Sequence, residues 1–291
     1  MNFLSNLISG LSLGSIYALI ALGYTMVYGI AKMLNFAHGD VIMVGAFTVI
    51  VTISSLGLPA VVGVIASVLV CVVMGVLIEK IAYKPLRSSP PLSVLITAIG
   101  VSYFLQSLAL LIFGSTQKSF PKVFNMEPLH FGELTVKGES VETLAVTVII
   151  MVGLTLFINK TNMGKAMRAV SEDRAAAELM GISVNKTITV TFAIGSALAA
   201  VAGIFFGATY GFIGPYTGSM PGIKAFVAAV FGGIGSIPGA MLGGILLGII
   251  ENLAKAYIST ELSDAIVFGV LVLVLCLKPT GLLGKKINEK V

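Results

Sequence analysis

The first charged side chain in this sequence is Lys32, and the residues before it form one almost wholly apolar run at about 4–30. Further runs of the same character lie at about 41–56, 60–80, 92–113, 142–158, 187–208, 238–256 and 262–278. About 20 apolar residues cross the hydrocarbon core of a bilayer as a helix, because each backbone N–H and C=O must then be paired inside the segment. The composition excludes a water-exposed fold: 57% of the residues are hydrophobic and 11% charged, against roughly a quarter charged in soluble domains. The expected fold is all-α: a single membrane domain over residues 1–291, a polytopic transmembrane bundle of about eight or nine spans with broken or re-entrant segments, surrounded by lipid.

The net charge is +5, but the basic residues lie between spans rather than on one patch, which argues against a nucleic-acid partner. Lys80, Lys84 and Arg87 follow the third run. Lys160, Lys165, Arg168, Arg174 and Lys186 fill a loop at 159–186, and Lys278, Lys285, Lys286 and Lys290 lie in the tail. The positive-inside rule assigns all three groups to the cytoplasm. The loop at 114–141 balances Lys118, Lys122 and Lys137 against Glu127, Glu133 and Glu139 and contains Pro121 and Pro128. It is expected on the periplasmic side. These placements together require one crossing within 210–238, about nine spans and an outer N-terminus; a stretch that only re-enters reduces the count to eight. The basic region of a cleaved leader is missing from the opening run, so the first span is expected to be retained. Cys71 and Cys276 are read as small buried hydrophobes.

Glycines four apart mark close helix packing, at Gly10 and Gly14, Gly203 and Gly207, and through Gly235, Gly239, Gly243, Gly244 and Gly248. Two polar breaks stand out. One is Leu34–Asp40, where Asn35, His38 and Asp40 are costly in hydrocarbon and their backbone is expected to line protein or water. The plainer reading is a turn with Asp40 as N-cap of the next helix. The other break runs from Tyr216 to Phe226 and on through Gly232–Gly239. Gly- and Pro-interrupted segments in the two halves of a transporter point to a binding or gating region. Asn35, Phe36, His38, Gly39, Thr217, Pro221, Gly222 and Lys224 are therefore the candidates for a path or gate. Lys224 is alternatively an outer-surface anchor that snorkels. Glu251 and Lys255, four apart, read as a packed pair near a helix end. No metal site is expected, since His38 and Asp40 lack further ligands and His130 lies in the outer loop.

In the 159–186 loop, Ser171 reads as the cap of a short helix that Gly181 stops, with Glu172 and Asp173 in its first turn. Leu179 and Met180 would be buried only against a partner. No phosphate-binding loop occurs, because Gly164-Lys165 is followed by Ala166 and Gly284-Lys285 by Lys286. Nor is there a chain of intramembrane carboxylates for proton coupling. No nucleophile–base pair points to an enzyme. A permease driven by a separate motor fits best; a stand-alone secondary transporter or channel for a small polar solute is the alternative.

The segments LNFAHGD (34–40), AYKPLR (82–87), TNMGKAMRAVSEDRAAAELMGI (161–182), YTGSMPGIKAFVAAVFGGIGSIPGA (216–240) and KPTGLLG (278–284) resemble the permeases of bacterial ABC importers for branched-chain amino acids. They are more distantly similar to ribose-type permeases. The resemblance implies a multi-pass inner-membrane subunit that passes a zwitterionic amino acid inward. It implies a second homologous permease, two cytoplasmic ATPases holding ATP and magnesium, and an external solute-binding protein, with no cofactor in this chain. The family's Ala-Ala-x-x-x-Gly coupling signature falls on Ala176, Ala177 and Gly181, so Arg174, Glu178, Leu179 and Met180 are expected at the ATPase contact. Ala175 stands where the family carries an acid, and the downstream Leu-Pro of other importers is missing.

Overall fold

The computed structural model describes residues 2–87, 89–124, 126–131 and 134–284. Lys285, Lys286 and Lys290 of the tail and Glu133 of the 114–141 loop lie outside the described residues. Helices begin and end where the sequence dictates. Helix α1 (Asn2–Ala31) stops at Lys32, whose φ of 53° breaks the helical path. Helix α2 (His38–Ile50) continues as one π-helical stretch over Val51–Ser55, and α3 (Ala60–Ile78) likewise through Glu79–Tyr83. Pro91, whose missing N–H costs nothing in a first turn, opens α4 (Pro91–Phe113). Gly114, at φ 78°, closes it.

Helix α5 (Gly138–Lys160) leads into two short helices, α6 (Asn162–Glu172) and α7 (Arg174–Leu179). Helix α8 (Val184–Tyr210) follows, then α9 (Ser219–Gly232), α10 (Ile237–Tyr257) and α11 (Ser263–Leu277). Among the described residues, seven helical stretches are long and apolar enough to cross a bilayer, and α9 and α11 are shorter apolar helices. The 210–238 stretch holds one short helix, α9, of 14 residues. Among the described residues, strand pairing is confined to β1 (Lys118–Ser119) with β4 (Phe212–Ile213) and β2 (Leu129–Phe131) with β3 (Leu134–Val136). The first pair ties the 114–141 loop to the chain entering α9.

Helix α1 is the axis of the bundle. Its most apolar window is 78% buried, against 22% for α4 and 17% for α5, whose apolar side chains face outward as lipid requires. Small residues let the inner helices touch backbone to backbone. A Cβ on Gly14 of α1 would come within 2.6 Å of the Ile245 carbonyl of α10, and one on Gly10 within 2.9 Å of Ile249 Cα. Gly244 and Gly248 return the contact against Ala18 and Gly14, while Gly239 and Gly243 abut Gly232 and Ala228 of α9. Gly203 packs on Ile42 of α2 and Gly207 on the Phe120 ring. Gly235 departs from the expected pattern: it lies in the turn before α10 at φ 90°, so its role is conformational, although Gly29 of α1 lies beside it. Cys71 is buried, its Sγ 3.5 Å from the Val41 carbonyl. Cys276, expected inside, is exposed on α11.

Candidate functional site

The two polar breaks, nearly two hundred residues apart in sequence, meet inside the bundle. The first turns of α2 and α9 abut at glycine. A Cβ on Gly39 would lie 2.5 Å from the Gly218 carbonyl and 3.2 Å from Gly222 Cα, and Gly218 would collide with the Gly39 carbonyl in return. Aromatic rings close the junction. Tyr24 of α1 lies edge-on to His38, ring centroids 4.8 Å apart, and tilted against Phe226 at 5.8 Å; Phe36 meets Phe226 at 5.6 Å. His38 is 1% exposed, and its Nε2 has no hydrogen-bond partner.

Asp40 is not the cap of α2. That helix starts at His38, Ala37 occupies the cap position without a side-chain bond, and Asp40 lies in the first turn. There its charge complements the helix dipole. The buried carboxylate accepts from Gln106 Nε2 of α4 at 2.9 Å, and the same amide lies 3.1 Å from Ser219 Oγ at the start of α9. Gln106 therefore holds both broken helices at once. Asn35 is buried, with Oδ1 accepting from Tyr83 Oη at 3.0 Å. Thr217 Oγ1 accepts from the Gly214 amide at 2.6 Å, so it shapes the turn into α9, and Pro221 is buried in that helix's first turn.

Lys224 does not snorkel to a surface. It is 5% exposed, and its Nζ contacts Glu251 at 2.8 Å and Asp264 at 2.6 Å. Glu251, fully buried, also accepts from Tyr17 Oη at 2.9 Å and Lys255 Nζ at 2.6 Å. Two cations and two carboxylates thus neutralise one another among α9, α10 and the start of α11. The Glu251–Lys255 pair expected from spacing exists, but as part of this larger group.

The 159–186 segment folds differently from the single helix expected at 171–181. Thr161 caps α6, its Oγ1 accepting from the Gly164 amide at 3.0 Å. Asp173 caps α7, its Oδ1 accepting from the Ala175 and Ala176 amides at 2.8 and 3.0 Å. Ser171 sits in the last turn of α6 and donates to the Arg168 carbonyl. A carboxylate two residues from the expected cap competes better for two amides than a hydroxyl does. Gly181 ends the segment at φ 78°, as expected. Ala177 is buried, Glu178 exposed, and Leu179 and Met180 are 89% and 82% exposed. Arg174 reaches back from α7 to donate to the carbonyl of Ala31, the last residue of α1. Helix ends leave such carbonyls without an internal partner.

Residues 6–275 match the family described as branched-chain amino acid transport system / permease component. The chain belongs to that family. Over 302 residues it is 46% identical to the high-affinity branched-chain amino acid transport system permease protein LivH of Salmonella typhimurium, covering 99% of this chain and 98% of that one. It is likewise 46% identical over 303 residues to BraD of Pseudomonas aeruginosa, covering 100% and 98%. The autoinducer 2 import system permease protein LsrC of an Enterobacter species is 34% identical over 147 residues, 47% of this chain and 43% of that one.

Three features of this permease-family member were not anticipated from its sequence. Gln106 sits in an apolar run with nothing local to mark it. Tyr83 lies in the AYKPLR segment, but its hydroxyl bonds depend on tertiary placement. Glu79, wholly buried, pairs with Arg87 and accepts from Thr189 Oγ1 at 2.8 Å. Its lone acid at the end of an apolar run is the one signal that points there.

Proposed function

We propose that this chain is the membrane-spanning subunit of an ATP-driven importer and passes branched-chain or similar aliphatic amino acids inward through the Gly39–Gly218–Gly222 junction. The observation that carries this reading is the meeting of two interrupted helices inside the bundle. A helix N-terminus favours negative charge, and interrupted half-helices at membrane depth are where transporters hold zwitterionic solutes. Helix α9 has 14 residues, a rise of about 21 Å, less than the ~30 Å hydrocarbon core. Non-helical chain at 211–218 completes the crossing and gives the junction its place to part.

The face bearing α6 and α7 is cytoplasmic in this reading, and the 114–141 loop is periplasmic. Leu179 and Met180 are the docking surface for a partner ATPase, which would bury them for roughly 1.5–3 kcal/mol each. Arg174 links that helix to the end of α1, from which the 32–37 segment leads to Gly39. Movement of α7 thus reaches the junction through one hydrogen bond and a short chain. A second permease, two ATPases with ATP and magnesium, and a solute-binding protein complete the assembly.

The test is reconstitution. With its permease partner but no ATPase, this chain should move no amino acid against a gradient. With the ATPases, ATP and binding protein, concentrative leucine uptake should appear. A cysteine at Glu178 should cross-link to the ATPase. Concentrative uptake driven by a proton or sodium gradient alone would overturn the proposal.

A further inference from the structure

Between α6 and the last turns of α1 lies an open-mouthed crevice with about 90 Å³ of solvent-accessible space. Its walls are apolar: Met26 and Ile30 from α1, Ile158 from α5, Met167 from α6 and Ile237 from α10. Thr25, also lining it, is 1% exposed, and its Oγ1 has no hydrogen-bond partner. A threonine inside a helix ordinarily bonds the carbonyl four residues back. Thr48, Thr143 and Thr191 do so here. The Thr25 hydroxyl is therefore a buried polar group still to be satisfied.

At the crevice wall on the α6 side stands Arg168, exposed, with one 3.3 Å bond to Asn159 Oδ1. Most of its five donors are uncommitted, and the lining contains no carboxylate to occupy them. The crevice thus offers a guanidinium, an unused hydroxyl and an aliphatic wall.

We infer that it binds a small aliphatic amino acid arriving from the α6 side. The carboxylate meets Arg168, the side chain lies among Met26, Ile30 and Met167, and Thr25 Oγ1 accepts from the ammonium group. This rests on the import reading above and deepens it, because the ligand class is that of the transported solute after release. Helix α6 passes through one residue, Asp173, into α7, whose Arg174 holds the end of α1. A ligand wedged between α6, α1 and α10 resists the relative movement of these elements. Accumulated product therefore slows further import.

The complete complex, reconstituted with ATP and graded L-leucine in the lumen facing α6, tests this. Lumenal leucine should lower the initial rate of leucine uptake several-fold. The variants Thr25→Val and Arg168→Gln should keep the empty-lumen rate and lose most of that inhibition. Isoamylamine, which has the aliphatic chain without the carboxylate, should not inhibit. In detergent, leucine should slow alkylation of the Ser171→Cys variant in a background free of Cys71 and Cys276. Wild-type transport indifferent to lumenal leucine, or inhibition undiminished in both variants, would overturn the inference, as would alkylation that leucine does not slow. Protection of the cysteine without any ATP-driven uptake would leave the site standing and remove the import reading instead.

Discussion

Lys224 Nζ lies 2.8 Å from Glu251 Oε1, with both side chains shut away inside the bundle. The pair is lopsided. Glu251 also receives Tyr17 and Lys255, whereas Lys224 has Asp264 as its second partner. Breaking a buried pair from one side costs about 3–5 kcal/mol, because the surviving charge is left unmatched.

Glu251→Gln removes the carboxylate on which three donors converge and should lower the melting temperature of the purified complex sharply. Lys224→Met leaves Glu251 with Tyr17 and Lys255 and should cost less. Thermal melting monitored by size-exclusion chromatography checks the order. A larger loss for Lys224→Met would show that Asp264, not Glu251, dominates the cluster.

Gly39→Ala and Gly218→Ala each place a methyl group against a backbone carbonyl that cannot retreat without parting α2 from α9. Overpacking of this kind costs about 1–3 kcal/mol, and uptake should be lost even where protein still reaches the membrane. Gly100→Ala on α4 is the control, since a Cβ there meets nothing within 4 Å. Normal uptake by Gly39→Ala would exclude the junction from the path.

Gln106→Leu removes the amide that bridges the buried Asp40 carboxylate and Ser219, leaving the carboxylate one donor short. An unsatisfied buried acceptor costs about 1–3 kcal/mol, more when charged. Initial uptake should fall at least tenfold, corresponding to about 1.4 kcal/mol on the barrier. Gln106→Asn, which keeps the amide but shortens the reach, should fall between that variant and wild type.

Asp173→Ala deprives α7 of its cap, worth about 0.5–2 kcal/mol, in a helix of only six residues. Amino acid moved per ATP hydrolysed should drop while the complex stays assembled. Ser171→Ala should leave that ratio unchanged. Ala177→Pro, which breaks the helix at about 3 kcal/mol or more, should uncouple hydrolysis from transport altogether. Equal effects of the Ser171 and Asp173 variants would mean that capping does not govern the coupling.

The spans were legible because hydrocarbon imposes a length and a polarity that few sequences meet by accident, and the runs near 4–30 and 187–208 return as α1 and α8. The two polar breaks were legible for the same reason: Asn35, His38 and Gly222 are costly or conformationally unusual in an apolar chain. That they meet was not legible, since a contact between residues 39 and 218 has no local signal. Lys224 shows the limit most clearly. One lysine near a span end has the same sequence signature whether it snorkels to the headgroups or is neutralised by Glu251, and only packing decides. The Ser171 cap failed on a finer scale, where Asp173 offered the stronger acceptor two residues on.

The backbone contact between Gly39 and Gly218 has a consequence for how such a protein can change over generations. Neither position can acquire a side chain while the other segment keeps its course, so single substitutions at either are barred. The two segments are therefore free to vary only in concert, by a shift of one helix that makes room beside the other. Divergence among descendants of this chain should accumulate on the lipid-facing sides of α4 and α5 long before it touches this pair.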